Sequence, residues 1–418
     1  MLSLDWFIQA YLPRVYRMPQ NRIHDWLEQR IIGLGLPLSI CLPDRLINPH
    51  PSPKVTVTLR SPRAWLALAK PTLGKLAKSY VEQELDVSGN LQDIVEFGAR
   101  FCVVDAGTVK KTKRAWKWTR HTRAADRRAI RYHYDVSNDF YALWLDRRRV
   151  YSCAYFKTPE DSLDLAQEQK LDLICRKLNL QEGERFLDIG CGWGGLILWA
   201  AERYRVRATG ITLSQNQYQY AQEKIAQLGL QDICRVMLCD YRDLDESEAF
   251  DKIASVGMFE HVGKKNLPLY FGKIYRLLKP GGLVMNDGIT LTLPNSSELG
   301  SDVGEFIEQY VFPGGELMHV SSVMEEMARQ KLECRDAENL RPHYAKTLWH
   351  WVQRLEARQE EARKLVGEKK FRTWQIYMGG SARSFERGWL SVYQLLAGKS
   401  LPHVSLAYPS TREFVYRF

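Results

Sequence analysis

The residues best suited to chemistry sit in one short run, Asp188-Ile189-Gly190-Cys191-Gly192-Trp193-Gly194, preceded by the apolar Phe186-Leu187 and followed by Leu196-Ile197-Leu198-Trp199-Ala200. A strand that ends in an acid and a glycine turn, then opens a helix, brings backbone N–H groups against a nucleoside ligand. The glycines alternate more tightly than in a dinucleotide fingerprint, and the turn holds no lysine for phosphates. The pattern favours S-adenosylmethionine as cofactor over the plainer reading of an ordinary tight turn.

The elements that must carry this turn are legible as alternating strands and helices between about residues 130 and 400. Strands are expected at 186–189, 206–211, 235–239, 253–256 and 283–286, which gives an α/β fold with a doubly wound, mainly parallel sheet. Residues 1–108 read instead as a small N-terminal α+β domain. There 55–59 alternates as a strand, 61–69 starts like a helix with Pro62 near its first turn, and 91–97 is helical. The expected division is a domain at 1–108, a basic linker at 109–132, the cofactor domain at 133–400 and a tail at 401–418 to which no role is assigned.

Composition narrows the classes. A 45% hydrophobic content over 418 residues excludes wholesale disorder and leaves room for two or three domains. No stretch reaches the roughly 20 apolar residues of a membrane span, and Met1-Leu2-Ser3-Leu4-Asp5 lacks a basic signal-peptide start. A cytoplasmic protein is expected. The eight cysteines are scattered without a C-x-x-C pair, so reduced thiols and no metal site are expected.

The net charge of +10 is concentrated. Between Lys110 and Arg131 ten basic residues face only Asp126, with Trp116 and Trp118 interleaved. Such a segment is either a solvated linker helix or an attachment to anionic phospholipid at the inner face of a membrane, where each basic residue contributes about 1 kcal/mol and tryptophan favours the interface. Sequence-specific nucleic-acid motifs are missing, and no nucleic-acid partner is expected.

Seven blocks carry a family resemblance: 133–141 (HYDVSNDFY), 151–156 (YSCAYF), the glycine turn, 212–217 (TLSQNQ), 258–263 (MFEHVG), 312–315 (FPGG) and 342–348 (PHYAKTL). In this order, over about 270 residues, they resemble the cyclopropane fatty acid synthases, including the mycolic acid cyclopropane synthases. The N-terminal region resembles, more loosely, the extra domain of synthases that act on intact phospholipids. The resemblance implies a class I methyltransferase fold and transfer of a methylene from S-adenosylmethionine to the double bond of an unsaturated acyl chain of a membrane phospholipid.

That chemistry requires a sulfonium methyl donor, a dry pocket that shields a carbocation, and a base that removes a proton so that the ring closes. Aromatic faces at Tyr151, Trp193 and Tyr155 could stabilise sulfonium and cation by about 0.5–2 kcal/mol each, although Tyr155 also reads as an ordinary core aromatic. By resemblance Tyr151 and Ser152 close over the donor, and the turn after Asp188 admits its methionine part at Gly190, Gly192 and Gly194. Thr212, Leu213 and Gln217 hold ribose and methionine, and Tyr241 flanks the adenine unless it is only a half-buried strand-end tyrosine.

The resemblance further implies a bicarbonate ion held by a cysteine, a glutamate, a histidine, an isoleucine backbone and a tyrosine. Cys153, Glu260, Ile289 and Tyr344 match, but the histidine position holds Asp287. Two carboxylates around an anion repel it and raise one another's pKa. Either a protonated acid holds bicarbonate, or Asp287 is itself the base, and the second is favoured; Asp287 also reads as a turn cap beside Gly288. His261, adjacent to Glu260, is expected to point elsewhere. A cysteine often found in the family is replaced by Ser381, for which no covalent role is expected. Methyl- or methylene-branching of acyl chains, amine N-methylation and a non-catalytic lipid-binding role stand as alternatives, and dimerisation is left open.

Overall fold

The computed structural model describes residues 20–43, 45–69, 71–102, 122–134, 136–294, 301–400 and 408–416. The chain forms two compact units: Met1–Lys113 with Ser297–Val311 and Gly367–Arg383, and Arg114–Ser296 with Phe312–Val366 and Ser384–Phe418. The linear division expected at 108 and 132 takes no account of the two later segments that join the smaller unit. One of them is set off where the helical stretch Gln359–Glu386 breaks at Gly367, whose φ of 77° and ψ of 163° end a helix.

The smaller unit is built on a four-stranded sheet of β1 (Leu38–Cys41), β2 (Leu46–Ile47), β3 (Val55–Leu59) and β4 (Leu85–Gly89), in the order β2-β1-β3-β4. The alternation of β3 places Val55, Val57 and Leu59 inward. They meet Leu27 and Ile31 of the Gln20–Leu34 helix and Phe97 and Phe101 of the Leu91–Phe101 helix. Each such fully buried side chain stabilises by about 1.5–3 kcal/mol.

The larger unit is an α/β fold on a seven-stranded sheet. Its strands are β5 (Arg185–Ile189), β6 (Arg207–Thr212), β7 (Cys234–Leu238), β8 (Phe250–Val256), β9 (Leu278–Leu291), β10 (Leu332–Asn339) and β11 (Leu390–Lys399). The order is β10-β11-β9-β8-β5-β6-β7, parallel from β9 to β7, with β11 antiparallel to both β9 and β10. The five expected strands are present within a few residues, β9 being much the longest. The chain leaves β5 toward β6 and β7 and returns to β8 on the other side, so a crevice opens at the carboxyl end of β5, where such folds bind ligands.

Asp287 and Gly288 lie inside β9, paired with Gln394 and Tyr393 of β11. The turn-cap reading of Asp287 is therefore corrected: no turn is there for it to cap. Gly288 is required in this strand, because a Cβ would stand 2.1 Å from the Phe259 ring and 3.0 Å from Glu260 Oε1.

Candidate active site

The crevice is a cleft of about 970 Å³ including its open mouth, and it is walled by the ends of β5, β6 and β8. Asp188, Gly190, Gly192 and Trp193 line it with Thr212, Leu213, Gln217 and Tyr241, and Tyr151 and Ser152 complete the wall. Of the residues expected to hold the cofactor, Gly194 alone is not on this wall. It caps the Gly195–Tyr204 helix, and a Cβ there would approach Ala221 at 3.2 Å, so its smallness serves helix packing.

The wall fits an adenosyl sulfonium ligand. Gly192 has a φ of 54°, and nothing lies within 4 Å of where its Cβ would be, so the absent side chain leaves room for the ligand against the backbone. Asp188 is buried, and its Oδ1 has no hydrogen-bond partner among the described residues. Burial, opposed by the Lys170 ammonium, pushes its carboxyl up to about 7. Thr212 Oγ1 donates to Gln217 Oε1 at 2.7 Å, which leaves the Gln217 amide nitrogen for a ligand hydroxyl. Trp193 is fixed by its indole N–H donating to Asn138 Oδ1 at 2.8 Å. Tyr241 opens the 3-10 turn Tyr241–Asp243 after β7, edge-on to Tyr270 at 5.4 Å between centroids, and is buried where a half-buried strand end was the alternative.

Tyr151 stands among aromatic rings, with His133, Trp144 and Trp351 at centroid distances of 5.7, 5.4 and 5.2 Å. Tyr155 is not on the cleft wall; it stacks on His343 at 4.6 Å. His261 does diverge from Glu260, but toward the cleft, where its Nε2 lies 3.4 Å from the Tyr134 hydroxyl.

None of Cys153, Glu260, Asp287 and Tyr344 is on the cleft wall; all four are buried. Glu260 Oε1 accepts the Ile289 N–H at 2.7 Å, so the isoleucine backbone expected to face an ion is engaged by the carboxylate. Glu260 Oε2 is buried without a partner among the described residues, and burial pushes the carboxyl up to about 7. Cys153 and Tyr344 are joined through one carbonyl: Leu340 O accepts from Cys153 Sγ at 3.7 Å and from the Tyr344 N–H at 3.1 Å. Burial holds the Cys153 thiol well above its ordinary range, so it is not a thiolate nucleophile.

Asp287 Oδ2 accepts from Gln394 Nε2 at 3.0 Å, and burial raises its carboxyl against the opposing Lys170 and Lys177. These two lysines were missed by sequence reasoning. Both are buried, on the Leu163–Lys177 helix, and Lys170 Nζ donates to Ser152 Oγ at 2.8 Å while lining the cleft. The signal was available: two lysines two turns apart fall on the helix face that carries Leu163, Ala166, Leu173 and Ile174.

Comparison with known proteins gives the family. Residues 121–395 match the family model described as mycolic acid cyclopropane synthetase. The chain belongs to this family. A probable fatty acid methyltransferase of Pseudomonas putida is 42% identical over 388 residues, covering 92% of this chain and 98% of its own. Cyclopropane mycolic acid synthase 1 of Mycobacterium tuberculosis (strain ATCC 25618 / H37Rv) is 36% identical over 278 residues, covering 65% of this chain and 96% of its own. The crystal structure of mycolic acid cyclopropane synthase CmaA1, complexed with SAH and CTAB, superposes with a TM-score of 0.63 at 35% identity, over 65% of this chain and 98% of that one. The protein is an S-adenosylmethionine-dependent methyltransferase of the cyclopropane synthase family, with the class I methyltransferase fold and S-adenosylmethionine as cofactor. The family is one of S-adenosylmethionine-dependent lipid methyltransferases and cyclopropane synthases.

Proposed function

We propose that the enzyme adds one carbon to the double bond of an unsaturated acyl chain of a membrane phospholipid and closes a cyclopropane ring. Bound S-adenosylmethionine supplies an electrophilic methyl group. The residues that would hold it are Asp188, Gly190, Gly192, Thr212, Leu213, Gln217 and Tyr241, with Tyr151, Ser152 and Trp193 beside the sulfonium. The aromatic faces of Tyr151 and Trp193 shield positive charge, and the buried walls keep water from the carbocation that the alkene becomes.

The observation that carries ring closure is Asp287: a buried carboxylate whose Oδ2 is bonded to a neutral amide, leaving Oδ1 to take a proton from the newly added carbon. Glu260 keeps a second buried oxygen, Oε2, without a partner among the described residues. Cys153 and Tyr344, both buried, are assigned to the same surround by the family resemblance, without a covalent role. Asp287 in place of the family's histidine favours this direct base over bicarbonate.

The resemblance of the N-terminal region to a phospholipid synthase domain, and the basic, tryptophan-bearing segment at 109–132, support a peripheral enzyme acting at the anionic inner face of a membrane. Residues 109–121 of that segment lie outside the described residues; its remainder enters the Arg123–Tyr134 helix, where Arg123 pairs with Asp243 at 2.7 Å. Among the described residues no helix is long and apolar enough to cross a membrane.

A second reading, a methyl- or methylene-branched product, is favoured by the name of the Pseudomonas putida relative, which spans 92% of this chain. Expression in a host lacking its own synthase, with mass spectrometry of total fatty acids, tests both. A gain of one methylene with ring-specific fragmentation is expected; a branched or exomethylene product would replace the ring by the second reading, and unmodified fatty acids beside donor turnover on another substrate would remove both.

A further inference from the structure

Behind Asp287 a chain of side chains crosses the sheet. Lys177, buried at the end of the Leu163–Lys177 helix, donates from Nζ to Gln394 Oε1 at 2.9 Å and pairs with Glu338 of β10. Gln394 passes the contact on, donating from Nε2 to Asp287 Oδ2. Glu338 is bonded in turn to the Tyr416 hydroxyl, and the adjacent Asp336 pairs with Arg412, so the C-terminal segment covers the outer end of this chain.

An ammonium has donors only, whereas a carboxamide has an acceptor end and a donor end. With Lys177 in place the Gln394 oxygen must face the lysine, and its NH2 must therefore face Asp287. A donated N–H suits a carboxylate and not the O–H of a protonated acid. Without the ammonium the amide is free to turn and offer its oxygen to a protonated Asp287. We propose that Lys177 is a positioning residue which, by fixing the orientation of the Gln394 amide, selects the ionised form of Asp287.

The inference rests on Asp287 as the proton acceptor proposed above, since a base must be ionised when the new carbon arrives. The other groups facing Asp287 are Lys170 from the same helix, Glu338 from β10, Cys153 from the segment before the helix and Glu260 from the short helix Phe259–Val262. Lys170 acts in the same direction as Lys177 by charge alone, without contact to Gln394, and the carboxylates oppose both. The lysine that sets the amide is therefore separable by mutation from the lysine that lines the cleft.

The test is infrared titration of the Asp287 carboxyl in the full-length enzyme, isolated by subtracting the Asp287→Asn spectrum, in the parent and in Lys177→Met. S-adenosylmethionine binding by calorimetry serves as the check on folding. The carboxyl is expected to titrate higher by about one pH unit or more in Lys177→Met, a tenfold gain in proton affinity, and to return toward the parent in Lys177→Arg. Should Lys177→Met not fold, Gln394→Met asks the same question, because it removes the Nε2 donor and keeps the Lys177–Glu338 pair. An unchanged titration in a folded variant overturns the proposal. The acid limb of the kcat/KM profile for the acyl substrate should move with the carboxyl; a carboxyl that moves while the limb stays fixed supports the positioning role and removes Asp287 as base.

Discussion

Glu260 and Ile289 are bound to each other, carboxylate oxygen to backbone N–H at 2.7 Å, across a strand position kept bare by Gly288. The bond satisfies one oxygen and leaves Oε2 buried, so the charged form is held at a cost.

The first prediction concerns that cost. Burial raises the folded-state carboxyl to about 7, above its unfolded value near 4.5. Its favourable contribution is therefore complete below the unfolded pKa and is lost as pH rises through 7. Glu260→Gln keeps an acceptor for Ile289 and does not titrate. The apo variant should gain stability on the parent between pH 5 and pH 8, by on the order of 3 kcal/mol. Urea unfolding at the two pH values measures it, and a difference independent of pH would show that the charge is compensated in the native state.

The second prediction is that the glycine turn is the cofactor site. Gly192→Val would place a branched side chain in the space left open beside the turn, at a φ of 54° that valine rarely adopts. Calorimetry should show S-adenosylmethionine affinity reduced at least tenfold in a variant that retains its fold by circular dichroism. Undiminished binding would remove the turn from the site.

Much of the larger unit was legible because its strands carry their own signal. The cores of β5, β6, β8 and β9 read correctly as short apolar runs, buried on both faces, between helical stretches, and β7 at the sheet edge reads as a strand although only one of its faces is buried. Both antiparallel strands of this sheet were missed: β10, Leu-Glu-Cys-Arg-Asp-Ala-Glu-Asn, places charged residues at half of its positions, and β11 directly follows a long helical stretch. Missing β11 hid the pairing of Gln394 with Asp287, and so left a turn cap open as the alternative reading of a mid-strand residue. His261 was placed away from Glu260 by the rule that neighbours diverge, which holds, but the rule does not say that divergence leads into the cleft. The segments Ser297–Val311 and Gly367–Arg383 join the smaller unit through long-range packing, and an amphipathic pattern shows that a helix buries one face without showing against what.

The third prediction is that the basic segment attaches the enzyme to anionic bilayers. Electrostatic attachment must weaken with salt, since the Debye length falls from about 10 Å at 0.1 M to about 3 Å at 1 M. Flotation with neutral and anionic vesicles at both salt concentrations should recover the protein only with anionic lipid at low salt. Equal recovery under all four conditions would exclude electrostatic attachment.

The fourth prediction separates a protein base from a bound ion. If Asp287 takes the proton directly, Asp287→Asn should lose about 10² to 10⁴ in turnover while S-adenosylmethionine affinity, set by the cleft wall, stays unchanged. The parent should also be indifferent to added bicarbonate, because its base is part of the chain. Asp287→His restores the imidazole expected from the family beside Glu260 and Tyr344, and that variant should respond to bicarbonate where the parent does not. Gln394 can still serve the new residue, since a carboxamide both donates and accepts. Activity that disappears from the parent in carbon-dioxide-free buffer and returns with bicarbonate would reverse the assignment. Asp287 would then be a protonated ligand of the ion, and the burial that raises its carboxyl would serve to keep that proton in place.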